Sequence, residues 1–414
     1  MNQKSFVNIG KALASVALAV GIAFGGFLGL LLIAFAGFKE WFQVLYVVIV
    51  IDFLVILLIL LWKSGLMRRI RFIPVIFLAT CLLIGGGYLA YRAYDNSIPE
   101  LNEQGVNLRE YEPFKPDSRI ARLSEPSTLS LSGDLPRMDC ATALYPVAAA
   151  FMEATYPESA FADKGSDSEV QAEPVDIYNP YEKGSLLYQT GTAEAYQRLI
   201  DGEVDLIIVA GPSDEQLNIA KAAGVELVLT PIGREAFVFF VNANNPVDTL
   251  TVEQIQGIYS GEITNWSAVG GRNNSIRAFQ RPQNSGSQTA LQNLMRGKEL
   301  MEPPMEDVVA GMGGIIEQTA NYKNHKNAIG YSFRYFSTEM VQNNQIKLLA
   351  LGGVLPTKET IRSGEYPLSS EFYAVTLRSA GNENVSRLIE WMLSPQGQYL
   401  IEETGYVAQD EIFQ

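Results

Sequence analysis

Arg281 stands four residues before Ser285-Gly286-Ser287 in QRPQNSGSQTAL, and the stretch that follows reads as a helix. These residue types share one chemistry: they offer hydrogen-bond donors, and none carries negative charge. The free amides at a helix start do the same and add partial positive charge, so such a turn can hold an anion. Gly286 lets a ligand come close to the backbone. A guanidinium supplies a planar fork matched to phosphate or carboxylate oxygens. Two further hydroxyls stand at expected helix starts, Thr142 in DCATALYP and Thr192 in QTGTAEAY. Each hydroxyl could equally cap its own helix, worth about 1 kcal/mol. If the three starts meet, Thr142, Thr192, Arg281, Ser285, Gly286 and Ser287 form an anion cradle.

The remaining chemistry-bearing residues exclude more than they add. The chain has one histidine, His325 in NYKNHKNAIG, whose polar neighbours read as a solvated loop. Histidine-pair zinc sites therefore lack a second member, and a histidine relay triad would rest on this one loop residue. Cys81 falls in an apolar run and Cys140 in the polar part of the chain, so neither a disulfide nor a cysteine metal site is expected. There is no P-loop and no nucleophile elbow, and GMGGII at 311–316 lacks the dinucleotide spacing. No catalytic residue, metal or cofactor is expected, which points to binding and not to catalysis.

What must position the cradle is a run of alternating elements beginning near Arg137. DLIIVA (205–210), ELVLTPI, EAFVFFVN (235–242), SIRAFQ, NAIGYSF and FYAVTLR (372–378) read as strands by their apolar runs, rich in β-branched and aromatic residues. Helices are expected over ALYPVAAAFMEATY, AEAYQRLIDG, LNIAKAAG, TVEQIQGIYSG, SQTALQNLMRG and NVSRLIEWMLSPQGQYLIEETG. This alternation predicts an α/β fold with a largely parallel sheet. In such a sheet the helix starts gather at the carboxyl ends of the strands.

Residues 1–91 are of another kind. Three apolar runs, 12–38, 41–62 and 72–91, are each long enough to cross a bilayer. Only Lys39 and Glu40 separate the first two, which requires a tight helical hairpin. KSGLMRRIRF carries Lys63, Arg68, Arg69 and Arg71, and Lys4 and Lys11 precede the first run. The positive-inside rule puts both regions in the cytoplasm. Three crossings then make this a multi-pass membrane anchor with everything after Tyr91 extracellular. Asp52 lies inside the second run, where an ionisable group marks a candidate site unless it is neutral or paired by a neighbouring helix. The head holds seven Lys/Arg against two Asp/Glu, a net of +5, leaving −14 − 5 = −19 for the rest. So acidic an exterior excludes nucleic acid as a partner. Residues 92–136, with five prolines, read as an extended stalk.

The stretch from about Arg137 to Asp410 resembles the phosphate-binding protein of bacterial phosphate ABC transporters, and more closely its membrane-anchored Gram-positive variants. The resemblance rests on DCATALYP, GTAEAYQRLIDGEVDLIIV, NPVDTLTVEQIQGIYSGEITNWSAVGG, QRPQNSGSQTAL, NAIGYSF and SPQGQYLIEETGYV. These follow in the right order over about two thirds of the chain and do not extend into the head. The resemblance implies a type 2 periplasmic-binding-protein fold over residues 137–414. Two lobes, the second spanning about 240–335, would be joined by two crossing strands and close on phosphate between them. Carried over by position, Thr142 matches the first-lobe ligand and Thr192 the hydroxyl at the second helix start. Arg281, Ser285, Gly286 and Ser287 match the second lobe's cluster. The expected function is capture of phosphate or a related oxyanion outside the membrane, linked to ABC permease subunits. The alternative is a cell-surface sensor or interaction module that keeps the fold with weak or no binding.

The sequence departs from that family at the end of the strand DLIIVA. Its phosphate binders carry there an aspartate that accepts the proton of hydrogen phosphate, whereas this chain has Ala210 followed by Gly211. Asp139 is the nearest acid by sequence that could substitute. Cys140 stands where the family commonly has glycine.

Overall fold

A long apolar helix, α1 (Gln3–Phe35), opens the chain. Its segment Asn8–Leu30 is apolar enough to cross a membrane, with a mean hydropathy of 2.1, and among the described residues it is the one helix that meets that test. The computed structural model describes residues 3–35, 46–57 except 48 and 52, 86–101 except 88 and 99, 107–161, 185–302 except 282, 322–340 and 344–409. Contacts divide the chain into two units, Met1–Ser97 and Ile98–Gln414.

In the first unit, residues 46–57 are helical where described and run antiparallel to α1. Ser15, Ala19, Ile22, Gly26 and Gly29 form the partly covered face of α1, at alternating spacings of four and three. A Cβ at Gly26 would lie 2.8 Å from Val50 Cγ1, and one at Gly29 would collide with the Tyr46 hydroxyl. Small residues thus let the two backbones approach, as helices in lipid commonly do. Leu13, Val16, Val20, Phe24 and Phe27 point outward. α1 begins and ends earlier than the first expected run, 12–38, and the turn expected at Lys39 and Glu40 lies outside the described residues. Of the expected spans 41–62 and 72–91, residues 86–91 except 88 are also helical, and the remainder, with Asp52 and Cys81, lies outside the described residues.

The second unit is built from strands β1 (Glu100–Leu101), β2 (Met138–Cys140), β3 (Leu187–Tyr188), β4 (Leu206–Ala210), β5 (Leu227–Asn242), β6 (Thr249–Leu250), β7 (Arg277–Ala278), β8 (Tyr322–Lys323), β9 (Ala328–Phe333), β10 (Ile346–Leu348), β11 (Ala350–Leu351), β12 (Ser369–Leu377) and β13 (Val407–Ala408). Its α-helices are α2 (Tyr145–Thr155), α3 (Thr192–Ile200), α4 (Asp214–Ala222), α5 (Val252–Tyr259), α6 (Gly286–Met295), α7 (Lys358–Arg362), α8 (Glu383–Met392) and α9 (Pro395–Thr404). The main sheet runs β3-β2-β4-β12-β5-β9-β7, with β10 and β13 also on β5. It is mixed, not largely parallel. β2 pairs parallel with β3 and β4, and β7 with β9, but β12 is antiparallel to both β4 and β5, and β5 to β9. Apolar runs report burial on both faces, and burial does not encode strand direction.

Two main hydrophobic cores share this sheet, the first divided by the sheet into a layer on each face. In β4, Leu206 and Ile208 face one layer with α2, α8 and α9, while Ile207 and Val209 face α3. A separate core gathers Phe237, Phe239, Tyr259, Trp266, Leu291 and Tyr331 around α5 and α6. The expected strands ELVLTPI and EAFVFFVN are one 16-residue strand, β5, that passes from the first core into the second. Its first part pairs with β12 from Leu377↔Leu227 to Ser369↔Ala236, and its second part pairs with β9 from Phe237↔Phe333 to Val241↔Ile329.

Residues 107–136 do not form a free stalk. Tyr111, Ile120, Leu129 and Leu131 are buried in the first core. Arg122 pairs with Glu153 of α2 at 2.6 Å, and Gln396 Oε1 accepts from both the amide and the hydroxyl of Thr128, at 2.8 and 3.0 Å. The prolines break regular structure, but the apolar residues between them still anchor the segment. A proline count alone does not reveal this.

Glu235 lies where β5 passes between the cores and is 4% exposed. Its carboxylate accepts from the amides of Ala236 at 2.8 Å and Tyr335 at 3.1 Å. Burial pushes the carboxyl up to about 7; Arg334, at 3.8 Å, and the two amides oppose that only in part. A group raised in the folded state stabilises the fold most below its ordinary value of 4.5, and that contribution is lost as pH rises through about 7. Glu235→Gln, neutral at every pH, should therefore lose less stability than the parent between about pH 5 and 8, by on the order of 1–3 kcal/mol. Thermal unfolding of both proteins across that range checks this, and parallel pH profiles would rule it out.

Candidate functional site

The six residues expected at the cradle come from three places in the second unit. Thr142 follows β2, but it does not open an α-helix directly. It begins a 3-10 turn, Thr142–Leu144, and α2 starts only at Tyr145 with Pro146 in its first turn. The Thr142 hydroxyl accepts from Gln189 Nε2 at 2.6 Å. Gln189 in turn leads to Gly191, whose φ of 88° swings the chain into α3 at Thr192. Gly191 is the residue preceding α3 and makes no side-chain cap, so Thr192 is buried at the helix start without serving as the N-cap.

On the second core, Ser285 is the N-cap of α6, its hydroxyl accepting from the amide of Gln288 at 3.3 Å. The capping role open to it in the sequence is thus filled, and its hydroxyl is engaged locally. Arg281 is held at the end of the strand by its own amide, 2.9 Å from Gln288 Oε1 and 2.8 Å from the Tyr331 hydroxyl. Tyr331 also donates to Gln288 Oε1. The Arg281 guanidinium reaches Ser287 Oγ at 3.5 Å, and Ser287 is buried. The first turn of α6 carries no acid, whereas that of α3 carries Glu194, which is exposed.

The two cores meet at Gly286. A Cβ there would stand 2.8 Å from Thr192 Oγ1 and 3.5 Å from the Ala210 Cβ. The starts of α3 and α6 therefore face each other across the end of β4. Beside them lies a small recess whose walls include Ala141, Thr192 and Ala210 and, on the β5 side, Glu235, Glu371, Phe372 and Tyr406. Thr192 and Gly286 are in direct contact, Ser287 follows on α6 with the Arg281 guanidinium beside it, and Thr142 is held by Gln189, three residues before Thr192.

Asp139 is not available to this cleft. It is fully buried, accepting from the amides of Cys140 at 2.7 Å and Thr190 at 3.0 Å, from the Thr190 hydroxyl at 2.7 Å and from Arg198 at 3.1 Å. Burial raises its carboxyl above the usual range, and the Thr190 bonds and Arg198 only partly offset that. Arg198 itself lies 3.8 Å over the Tyr188 ring and pairs with Glu203 at 3.0 Å. Asp139 instead fixes Thr190 and so sets the turn that delivers Thr192. Ala210 presents its carbonyl to the Tyr196 hydroxyl at 2.9 Å, and its methyl adds no acceptor. His325 is half-buried against Arg277, at 2.6 Å, and not in the solvated loop expected.

The positioning residues Gln288, Tyr331 and Asp139 were not legible as such. Ser285 followed three residues later by Gln288 has the spacing of a capping box, but the Gln288 side chain turns to Arg281 and not back to Ser285. Among the described residues no cluster of His, Cys, Asp and Glu could hold a metal.

Residues 133–396 match the sequence profile of a PBP superfamily domain. The phosphate-binding protein PstS of Borreliella burgdorferi is 29% identical over 184 residues, 43% of this chain and 64% of that protein. PstS of Staphylococcus aureus, strain bovine RF122 / ET3-1, is 26% identical over 229 residues, 54% of this chain and 69% of its own length. The chain thus spans somewhat less than two thirds of the Borreliella relative. Among solved structures, an ABC-type phosphate transport receptor from Vibrio cholerae aligns at TM-score 0.43 and 18% identity, over 67% of this chain and 100% of that one. PstS from Borrelia burgdorferi aligns at TM-score 0.39 and 20% identity, over 67% and 99%. With well over half of its length inside the profile match, the chain belongs to the PBP superfamily.

Proposed function

We propose that this chain is a membrane-anchored extracellular solute-binding protein for phosphate or a related tetrahedral oxyanion, handing its ligand to ABC permease subunits. The observation that carries this reading is the meeting of two helix starts from different cores at Thr192 and Gly286, with Arg281 and Ser287 beside them. Two positive helix ends that meet, with a guanidinium 3.5 Å from Ser287 Oγ beside them, make an arrangement that favours an anion. The relatives named as phosphate-binding proteins support phosphate as that anion.

In this reading residues 137–414 form a two-lobed binding domain whose second lobe spans about 240–335, with β5 and β12 as the connection. Thr142, Thr192, Arg281, Ser285, Gly286 and Ser287 share the ligand oxygens. Ser285 does so through the turn its cap orders, Gly286 and Ser287 through the amides at the start of α6, and Arg281 through its guanidinium. The anion gains contacts from both lobes only when they meet, so binding favours closure. None of these groups is a nucleophile paired with a base, so the role is binding and not catalysis. Residues 1–91 serve as a three-span anchor with the N-terminus in the cytoplasm, which leaves the binding domain outside the cell.

A second reading, a surface sensor or interaction module with weak binding, is favoured by one observation. The acceptor position of the family is Ala210, and Asp139 is engaged elsewhere. Calorimetric titration with phosphate and then sulfate separates the readings. Saturable phosphate binding supports the first, and no heat with either anion supports the second.

Two substitutions test the site itself. Arg281→Ala removes a charged donor and should weaken phosphate binding by about 2–3 kcal/mol; an unchanged affinity would falsify the site. Gly286→Ala puts a methyl 2.8 Å from Thr192 Oγ1 and should cost about 1–3 kcal/mol in affinity, as overpacking does. Its thermal midpoint should stay near that of the parent if the clash arises only when the two sides meet, and a large drop would place the clash within a single lobe.

A further inference from the structure

Asn284 sits immediately before the Ser285 cap, in a left-handed backbone conformation with φ 64°. Its side chain crosses from the second core to the first. Nδ2 donates to Glu215 Oε2 at 2.8 Å, and Oδ1 accepts from Ser213 Oγ at 3.1 Å. Ser213 and Glu215 belong to the start of α4, where Ser213 and Gln216 cap each other reciprocally. The chain that carries Asn284 is tied to the second core through the Arg281 amide, Gln288 and Tyr331. Both ends of this two-point contact are therefore braced. It lies two residues from Gly286, where the cores touch, and joins parts of the fold other than the β5 and β12 connection.

We infer that Asn284 is a closure latch, a positioning residue that favours the meeting of the two sides and so sets ligand affinity without touching the ligand. A hydrogen bond to a carboxylate is stronger than one between neutral groups. A ligand that needs both sides sees its dissociation constant divided by the fraction of molecules in the competent arrangement. Weakening the latch lowers that fraction and loosens binding by the same factor. The latch stands on the geometry at Asn284, Ser213 and Glu215; its effect on phosphate rests on the reading above.

Asn284→Asp keeps the size and tolerates a left-handed backbone, but it sets a carboxylate against Glu215. Adding Glu215→Gln restores a donor opposite an acceptor. The experiment uses the full chain in detergent micelles, with a donor–acceptor dye pair at Lys221 and Asn273, one on each side of the cleft. Inter-dye distance is read without phosphate, and inorganic phosphate is then titrated. The single variant should shift to a longer distance and bind phosphate about 10-fold more weakly. The double variant should return to the parental distance and affinity, with thermal midpoints close to the parent throughout. An unchanged distance in the single variant, or a shift that Glu215→Gln does not reverse, overturns the latch. If the distances follow the cycle while the parent binds no phosphate, the latch stands and the phosphate reading falls.

Discussion

All nine residues of β12 pair with β5, from Ser369↔Ala236 to Leu377↔Leu227, and the arrangement of the two cores depends on this pairing. It gives β4 a neighbour on one side and carries β5 out to β9 on the other. A slip of one residue would turn every side chain of β12 to the wrong face, so both cores together hold its register. The irregularity between Phe372 and Tyr373 bends the ladder close to where β5 leaves the first core. Glu235 sits just beyond, its carboxylate committed to the amides of Ala236 and Tyr335. Relative movement of the cores is thus confined to a short, well-braced crossing. That geometry suits a hinge better than free swivelling.

A site for an anion on a body of net charge −19 looks contradictory, but the two act at different ranges. Mobile ions screen exposed charges beyond about 8 Å at physiological salt. The donors around Gly286 and Thr192 are local and partly removed from that screening. Surface acid should therefore slow the approach of an anion more than it weakens the bound state. Glu215, an acid on this side of the site, is occupied by Asn284. The latch and the charge balance of the cleft are in this respect one device.

The parts of the molecule legible in the sequence were those set by local pattern. Helix starts at Thr192 and Ser285 follow from small hydroxyl residues before apolar periodicity, and the strand at 205–210 follows from its uninterrupted β-branched run. Strand direction was not legible, because β12 returns antiparallel between β4 and β5 on the strength of contacts distant in sequence. Nor was the attachment of 107–136, where isolated residues such as Tyr111 and Leu131 plug a distant core between prolines. At the site, residue identity was readable but partnership was not. Gln189 on Thr142 and Gln288 on Arg281 are neutral amides that no motif would single out.

The exchange of an acid for Ala210 bears on how this cleft can tell anions apart. An ionised carboxylate only accepts, so it welcomes an oxyanion that still carries a proton and repels one that does not. Asp139 cannot take that part, since freeing it would strand Arg198 and the Thr190 amide and hydroxyl inside the first core. Leaving buried partners of that kind unsatisfied costs about 1–3 kcal/mol each, more where charge is involved. The carboxylates of Glu235 and Glu371 on the recess wall already accept from the Ala236 and Tyr335 amides and from the Tyr373 hydroxyl, whereas hydroxyls can turn to donate or accept. Thr192, at the start of α3 beside Gly286, is placed to receive a ligand proton without leaving a cap. A hydroxyl accepts more weakly than a carboxylate and repels nothing, so it favours hydrogen phosphate over sulfate only by the bond it makes. On these grounds the proposed cleft would take tetrahedral oxyanions generally, with a modest preference for a protonated ligand.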